Sequence, residues 1–279
     1  MIKKFGILAN PAKHSLSPVM FNAAFKATGL DAEYGVFETP ENQLASFMEY
    51  VKHEPISGLS VSLPYKEVVI EYLNQVDDDV KKIGACNTVL NKGGILYGFN
   101  TDYKGSNIAL KNIVGDLKDK KIVIIGAGGA ARAIAYGVLK EGANVHICNR
   151  TKSRADSIAI EFAEMFSSEI HSASLNDLTT GDILIHTTSL WTKEKGSKTA
   201  YNLPPKFCDP EYIKNFDIVM DISYKTLGNP LISSAKKLKK HVITGDKMLF
   251  YQALEQFKIW TGKKAPALVM KEALNRSLV

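Results

Sequence analysis

The stretch from Lys121 to Gly142, KIVIIGAGGAARAIAYGVLKEG, restricts the fold of this chain more than any other segment. An apolar run is followed by a glycine-rich turn and then by a helical pattern, which together indicate a strand–turn–helix unit. Gly126, Gly128 and Ala131 fill three small positions. These positions permit a tight turn, close approach of a phosphate to the backbone, and close packing of the helix on the strand. Because the free N–H groups at such a helix start attract an anion, the unit predicts a bound dinucleotide.

The end of the next strand indicates which dinucleotide is bound. An NAD site carries an acidic residue about 20 residues beyond the glycines, where it binds the ribose hydroxyls. The segment NVHICNRTKSRA has no acid at that place and offers instead Asn149, Arg150, Thr151 and Arg154. A guanidinium group binds phosphate through two parallel hydrogen bonds, so this segment predicts NADP, held by its 2′-phosphate. A plain surface arginine pair is disfavoured because cations at a helix N-terminus oppose its dipole.

Strand and helix patterns alternate along the whole chain, which predicts an α/β protein with largely parallel sheets. The leading part includes a predicted hairpin around Gly93–Gly94 and a helix for which Ser17 is a plausible N-cap. After Gly115 the pattern restarts as a second α/β unit whose buried strands are KIVII, NVHIC, DILIHTT, FDIVMDI and HVIT. The segment from Lys247 onward is predicted as an amphipathic helix.

Composition and charge limit the class of protein. The net charge of +6 allows attraction of anionic small molecules, but the lysines are spread along the chain, so a solvated surface is favoured and nucleic-acid binding is not expected. No apolar run of about 18 residues is present, so no membrane span is expected. Three scattered cysteines argue against a disulfide framework and predict a cytoplasmic protein. The six histidines lack metal-binding spacing, so no metal is expected.

Polar clusters at predicted strand ends and turns mark the first 102 residues. They are HSLSP with Ser15 and Ser17, SVSLPYK with Ser62 and Lys66, GACNT with Asn87, and GFNTDYKG with Asp102. Each has an ordinary structural explanation when taken alone: a cap, a turn residue or a solvated lysine. The function must therefore be sought in their combination.

In their order along the chain, these clusters together with GAGGAARA, NRTKSRA, GDKMLFYQA and WTG resemble the shikimate dehydrogenase family. The resemblance covers nearly the whole chain. It implies a substrate-binding domain over 1–102, completed by helices in 246–279, and a Rossmann-like NADP-binding domain over 103–245. The fold class is accordingly α/β, an N-terminal α/β substrate domain plus a Rossmann-type domain with a parallel sheet.

The resemblance also implies roles for individual residues. The substrate's hydroxyls and carboxylate would be bound by Ser15, Ser17, Ser62, Asn87, Asp102, Tyr224 and Gln252. The cofactor would be bound by Gly126, Ala127, Gly128, Gly129, Ala130, Asn149, Arg150, Thr151, Arg154, Ser189 and Gly245. Asp78, in the run Asp77–Asp79, overlaps an acidic family position near the cofactor, although a solvated turn is the better interpretation of that run.

The implied reaction is the interconversion of 3-dehydroshikimate and shikimate with NADP. Lys66 would stabilise the developing negative charge on the carbonyl oxygen and donate its proton, and Asp102 would orient it. Burial would favour the neutral amine and the carboxylate the charged one, and the sequence leaves open which dominates. Two other functions stay open: a paralogue oxidising quinate or another cyclic hydroxy acid, and a non-catalytic NADP-binding regulatory protein. A homodimer and a monomer are both compatible with the sequence.

Three segments depart from the family pattern. HTTSLWT, from His186 to Thr192, stands where the family has NATSxGM, and Lys247 stands where the family has a second glycine. The segment after Tyr224 lacks the family's Asn-Pro. In relatives these loops surround the nicotinamide end of the cofactor. The polar stretch 191–212 is long for a connection and is either a functional loop or a mobile one.

Overall fold

The computed structural model of the chain describes residues 2–177, 179–189, 206–224 and 229–278. The chain forms two compact units, one of residues 1–105 and 250–279 and the other of residues 106–249. The boundaries predicted from the sequence are 102/103 and 245/246. Among the described helices, none combines the length and the apolar composition that a membrane span requires.

Ten α-helices and twelve strands are found within the described residues. The helices are α1 (Ser17–Ala27), α2 (Leu44–His53), α3 (Asp78–Ile83), α4 (Asp102–Val114), α5 (Gly129–Lys140), α6 (Lys152–Ala163), α7 (Pro210–Ile213), α8 (Pro230–Lys237), α9 (Gly245–Thr261) and α10 (Ala267–Ser277). The strands are β1 (Lys3–Ala9), β2 (Ala32–Glu38), β3 (Ile56–Val61), β4 (Gln75–Val76), β5 (Thr88–Lys92), β6 (Ile95–Phe99), β7 (Lys121–Ile125), β8 (Asn144–Asn149), β9 (Ile170–Ser174), β10 (Ile183–His186), β11 (Ile218–Asp221) and β12 (His241–Thr244).

The first unit contains a mixed sheet with strand order β2-β1-β3-β5-β6-β4. Strand β1 pairs in parallel with β2 and β3, whereas β5 is antiparallel to both β3 and β6. The predicted hairpin joins β5 to β6 through Gly93 and Gly94, which have φ angles of +60° and +89°. Only glycine adopts such angles without strain, so the turn position could be identified from the sequence.

The start of α1 differs from the prediction. Ser17 is the first helical residue rather than the N-cap, which is Leu16. The backbone N–H of Ser17 is bonded instead by the Oγ of Ser15, at 3.2 Å. The cap is displaced because the chain turns earlier, where the Ser15 N–H bonds to the Ala12 carbonyl at 3.0 Å.

The C-terminal segment differs from the single helix that its residue pattern predicts, since α9 and α10 are separate helices, as the family resemblance implies. Gly262, with a φ of +69°, ends α9, and its N–H bonds to the Lys258 carbonyl at 2.8 Å. Pro266 then precedes α10. A left-handed glycine followed by a proline is a common way to end one helix before another begins.

The second unit contains a six-stranded sheet with order β12-β11-β10-β7-β8-β9 and parallel pairing throughout. Counted within the unit, this is the order 6-5-4-1-2-3 of a Rossmann fold. The predicted Rossmann-type domain is therefore confirmed. Strand β9 was missed because its sequence, IHSAS, is polar, as suits an edge strand with partly exposed side chains.

Each unit has its own hydrophobic core. The first is built around Leu8, Met48, Leu59 and Val89. The second packs β7, β10 and β11 against Phe207 and Phe216. In the first unit Trp260 of α9 packs against Phe5 in a tilted arrangement, with ring centroids 5.2 Å apart, and its Nε1 donates to the Val89 carbonyl at 2.9 Å. Helix α9 is thereby fastened to the sheet of the first unit.

Candidate active site and cofactor-binding turn

Lys66 and Asp102 form a nearly buried ion pair in the first unit. The Nζ of Lys66 lies 2.6 Å from Oδ2 of Asp102, and their side chains are 14% and 6% exposed. Lys66 lies on the turn that follows β3, where its carbonyl accepts from the Cys86 N–H at 2.7 Å. Asp102 is the first residue of α4, and its N–H bonds to Oδ1 of Asn100 at 3.0 Å. Two separate elements therefore bring an amine and a carboxylate into direct contact.

Asn87 fixes the other oxygen of that carboxylate. Its Nδ2 donates to Oδ1 of Asp102 at 2.9 Å, and its Oδ1 accepts from the Thr101 N–H at 2.8 Å. With one carboxylate oxygen on Lys66 and the other on Asn87, the orientation of Asp102 is set. A buried polar network of this kind gives its members a single geometry when all partners are present.

Helix α9 contributes two glutamines to the same network. Oε1 of Gln252 lies 3.3 Å from Nδ2 of Asn87 and 3.2 Å from the Thr101 hydroxyl. One helical turn later, Gln256 donates to the Asn87 carbonyl at 3.0 Å and to the Thr88 hydroxyl at 2.9 Å. Residues four apart lie on one face of a helix, so a single face of α9 carries both amides.

A tyrosine extends the network away from the ion pair. The Tyr34 hydroxyl donates to Ser60 at 2.6 Å, and Ser60 donates to Oε1 of Gln256 at 2.9 Å. Burial raises the pKa of Tyr34 well above its usual range, and hydrogen bonds with Ser60 and Ser17 only partly offset this effect. Tyr34 is thus a neutral hydrogen-bonding group.

Gln256, Tyr34 and Ser60 were not among the site residues predicted from the sequence. For Gln256 a signal existed, since it follows Gln252 by four residues on the same predicted helix. For Tyr34 and Ser60 no signal existed, because a tyrosine and a serine on separate strands come together only when β2, β1 and β3 pair.

The remaining residues predicted to bind the substrate lie in three different parts of the structure. Ser17 is buried beside Tyr34, and the hydroxyl of Ser15 is bonded to the Ser17 N–H. Ser62 follows β3 and is half-buried, with its N–H on the Leu8 carbonyl at 2.9 Å. Tyr224 lies in the second unit, three residues beyond β11.

The glycine turn of the second unit has the geometry that a pyrophosphate requires. Gly126 has a φ of +122°, and a Cβ built on it would lie 2.2 Å from the hydroxyl oxygen of Thr187. Gly128 is the N-cap of α5 and provides no side-chain cap, so the N–H groups of the first helical turn are available to an external anion. Ala131 is buried, which allows the helix to pack closely. The dinucleotide prediction fits these residues.

The residues predicted to bind the 2′-phosphate follow β8. Arg150, Thr151 and Arg154 are exposed, and Asn149 donates to the Thr151 carbonyl at 2.9 Å. Thr151 is the N-cap of α6, again without a side-chain cap, and the first turn of α6 contains no acidic residue. An exposed guanidinium beside a helix start suits a phosphate.

Three further predicted cofactor residues lie elsewhere. Ser189 is exposed, three residues beyond β10. Gly245 is buried at the start of α9, where an added Cβ would lie 2.0 Å from the Ile222 carbonyl oxygen. Asp78 lies in the first unit, is exposed, and pairs with Lys81 at 3.0 Å.

The departures from the family pattern fall partly outside the described residues. Positions 190–192 and the stretch 191–205 lie outside them, whereas residues 206–212 form a short 3₁₀ turn and most of α7. His186 is fully buried and its Nδ1 lies 3.0 Å from Oδ2 of Asp221. Lys247 pairs with Asp246 at 2.9 Å. Within the described ranges no group of three or more metal-ligating side chains is arranged to hold a metal ion.

Three family models match the chain. They are described as the shikimate dehydrogenase substrate binding domain (residues 7–89), shikimate / quinate 5-dehydrogenase (residues 108–197) and the shikimate 5′-dehydrogenase C-terminal domain (residues 247–274). A relative named shikimate dehydrogenase (NADP(+)), from Aquifex aeolicus, is 36% identical over 97% of this chain and 95% of its own.

Solved structures agree with these matches. A crystal structure of shikimate dehydrogenase in complex with NADP+ superimposes with a TM-score of 0.88, at 36% identity, over 100% of this chain and 96% of that one. The Thermus thermophilus shikimate 5-dehydrogenase in complex with NADP(H) and shikimate gives a TM-score of 0.82, at 32% identity, over 99% and 100% of the two chains.

Proposed function

This chain belongs to the shikimate dehydrogenase family, and on that premise we propose that it catalyses the reversible, NADP-dependent reduction of 3-dehydroshikimate to shikimate, a step of aromatic amino-acid biosynthesis. The observation that carries the proposal is the ion pair of Lys66 and Asp102, which is nearly buried and held by Asn87. Neither charged group is needed merely to bind a dinucleotide. Their pairing therefore favours a catalyst over a binding protein.

Lys66 is the proposed acid and base. NADPH supplies a hydride when bound, and negative charge then develops on the carbonyl oxygen of the substrate. The Lys66 ammonium stabilises that charge and transfers a proton to the oxygen, which becomes the hydroxyl of shikimate. In the opposite direction the amine accepts the hydroxyl proton. Asp102 holds Nζ in place at 2.6 Å throughout.

Substrate binding is assigned to polar groups around this pair. Asn87 and Gln252 have amide groups beside Asp102, and Ser17 has its hydroxyl beside Tyr34. We assign hydrogen bonds to the substrate's hydroxyls and carboxylate to Ser15, Ser17, Ser62, Asn87, Asp102, Tyr224 and Gln252. Shikimate carries three hydroxyls and a carboxylate, and a set of amide and hydroxyl groups matches them chemically.

Cofactor binding is assigned to residues of the second unit and to one residue of the first, Asp78. The turn from Gly126 to Ala130 binds the pyrophosphate, and Asn149, Arg150, Thr151 and Arg154 bind the adenosine phosphate. Ser189 and Gly245 contact the remainder of the cofactor. Asp78 is added on the family resemblance alone, since its position on the first unit is exposed and its charge is paired with Lys81.

A cytoplasmic location is proposed from the cysteines. Cys86, Cys148 and Cys208 are all free and buried. Burial raises the pKa of Cys86 to about 12 and that of Cys148 to about 11, so these thiols resist oxidation. Unpaired thiols are usual in reducing compartments.

A spectrophotometric assay at about 340 nm tests the function. The purified protein is given shikimate, quinate or neither, each with NADP+ and with NAD+. We expect NADPH to form with shikimate and NADP+. Turnover of quinate alone would reassign the substrate, and NADP+ binding without turnover of either acid would indicate a regulatory protein. Faster turnover with NAD+ than with NADP+ would overturn the assignment of Arg150.

A further inference from the structure

A fully buried histidine–aspartate pair lies at the carboxyl ends of two strands in the second unit. His186 ends β10 and Asp221 ends β11, and the two residues are directly paired in the sheet. Nδ1 of His186 lies 3.0 Å from Oδ2 of Asp221, and neither side chain is exposed. In open α/β sheets, ligands bind beyond the carboxyl ends of the strands, so this pair lies beneath the cofactor-binding edge.

Among the residues that the structure describes, three donors bond to Asp221. Besides the ring of His186, the Ser223 N–H donates to Oδ1 at 2.8 Å and the Asn229 side chain donates to Oδ2 at 2.8 Å. A carboxylate can only accept, so Nδ1 of His186 carries a proton. A second partner that orients a histidine in this way fixes its tautomer and its ring position.

The opposite ring nitrogen holds a threonine of the following loop. Nε2 of His186 lies 2.6 Å from Oγ1 of Thr188, and in the neutral ring it accepts the threonine hydroxyl. Phe207 stacks on the ring, with centroids 5.2 Å apart. Contacts at both ring nitrogens and on one ring face therefore fix the position of His186. Through its hydrogen bond, His186 in turn limits the movement of Thr188.

Thr188 and its neighbour lie against the glycine turn. Thr187 donates to the Ile125 carbonyl through both its N–H and its hydroxyl, each at 2.8 Å. A Cβ at Gly126 would lie 2.2 Å from the Thr187 hydroxyl oxygen and 3.2 Å from the Thr188 methyl group. Residues 187 and 188 thus form a wall that packs directly on the turn.

We propose that His186 is a positioning residue for cofactor binding: braced by Asp221, it holds Thr188 so that the wall at 187–188 keeps the glycine turn in its phosphate-binding shape. The identity of the ligand rests on the proposed function, whereas the relay from Asp221 through His186 and Thr188 to Gly126 does not. A dinucleotide is the ligand class because this turn fits a pyrophosphate. The role belongs to binding and not to proton transfer.

The test compares two substitutions of Thr188 in the full-length protein. Thr188→Val keeps the shape and removes the hydroxyl, while Thr188→Ser keeps the hydroxyl. By calorimetric titration we expect Thr188→Val to weaken NADP+ binding about three- to tenfold, since one buried hydrogen bond is lost and Nε2 is left without its partner. Thr188→Ser should stay within about twofold of the original protein.

Tyr212→Phe is the matched control. It removes the bond from the Tyr212 hydroxyl to the Thr179 carbonyl, which is 2.6 Å long and lies ahead of the start of β10, at the opposite end of the strand. We expect it to lower the melting temperature and leave the Kd for NADP+ unchanged. If Thr188→Val likewise lowers the melting temperature and leaves the Kd for NADP+ unchanged, His186 and Asp221 contribute only to stability and the proposal is overturned.

His186→Leu provides a second variant that must agree. Leucine fills much of the space of the ring but can bond to neither Asp221 nor Thr188, so the Kd for NADP+ should rise at least as much as in Thr188→Val. The KM for shikimate should stay within about twofold in every variant. A parent protein that binds NADP+ and whose variants show these changes in Kd, but which does not turn over shikimate, would refute the proposed function and leave this inference standing. An unchanged Kd in His186→Leu would refute the inference.

Discussion

At the residue scale, the proposed chemistry depends on a charged amine that its partners hold in one position inside the protein. Lys66 and Asp102 are both mostly buried, and a buried charge is tolerated only when it is paired and hydrogen-bonded. The second oxygen of Asp102 is bonded to Asn87. Lys66 therefore has a defined place, which is what a group that donates a proton to a bound substrate requires.

Replacing Lys66 by alanine should abolish most of the turnover. We expect kcat to fall by about 100-fold or more, which is in the range for loss of an acid–base group, while NADP+ binding is retained. Steady-state kinetics and a separate NADP+ titration measure the two effects. Lys26→Ala, at an exposed position in the last turn of α1, is the control and should keep full turnover. Near-normal kcat in Lys66→Ala would remove this residue from the mechanism.

A methyl group on Gly126 should disable the cofactor turn. The added Cβ would collide with Thr187, and the φ of +122° is strained for any L side chain. We expect the Kd for NADP+ to rise more than about tenfold, with a loss of about 1–3 kcal/mol of stability. Gly35→Ala is the matched control because nothing lies within 4 Å of its added Cβ and its φ is not positive. Equal effects of the two substitutions would contradict this account.

At the element scale, pattern strength decided which parts of the fold were predictable. Around Gly126 the periodicity, the glycine spacing and the apolar runs all predict the same strand, turn and helix. The polar edge strand β9 carries none of these, and its strand conformation is imposed by pairing with β8. The residue pattern did not reveal the break between α9 and α10, because both helices are amphipathic and the signal lay only in Gly262 and Pro266.

The segment after β8 should determine the choice between NADP and NAD. Arg150→Gln replaces an exposed guanidinium by a shorter, uncharged side chain that is still polar. We expect the Kd for NADP+ to rise about tenfold, the typical effect of losing a charge-assisted hydrogen bond, and the Kd for NAD+ to stay unchanged. Titration with both dinucleotides measures this, and NAD+ is the internal control. Parallel loss of both affinities would mean that Arg150 acts through the fold and not through the 2′-phosphate.

At the scale of the whole molecule, each compact unit stabilises itself with a separate core, and a partly buried histidine makes the stability of the second unit dependent on pH. His146 on β8 lies beside His171 on β9, with ring centroids 4.6 Å apart. Burial, together with the nearby charges of Lys121 and His171, lowers the pKa of His146 to about 4, and Glu169 opposes this only weakly. The folded protein therefore keeps His146 neutral at a pH where the unfolded chain is protonated.

Stability should consequently fall as the pH drops from about 6.5 to about 4, because the unfolded state binds a proton in that range and the folded state does not. His146→Gln removes this contribution, so its urea midpoint should change less between pH 7 and pH 5 than that of the original protein. His241→Gln, at an exposed position on β12, is the control and should keep the original pH dependence. An identical pH dependence in His146→Gln and the original protein would refute this prediction.

The sequence by itself determined the two-part α/β organisation, the Rossmann unit and the identity of the turn glycines, because these depend on local periodicity and on backbone conformations that few residues adopt. It also placed Lys66 and Asp102 in polar clusters. Only the tertiary structure decided that Lys66, Asp102, Asn87 and Gln252 meet, that Gln256 and Tyr34 join them, and that His186 faces Asp221. These contacts join residues far apart in the chain, and their geometry is set by strand order and helix packing, which no local pattern encodes.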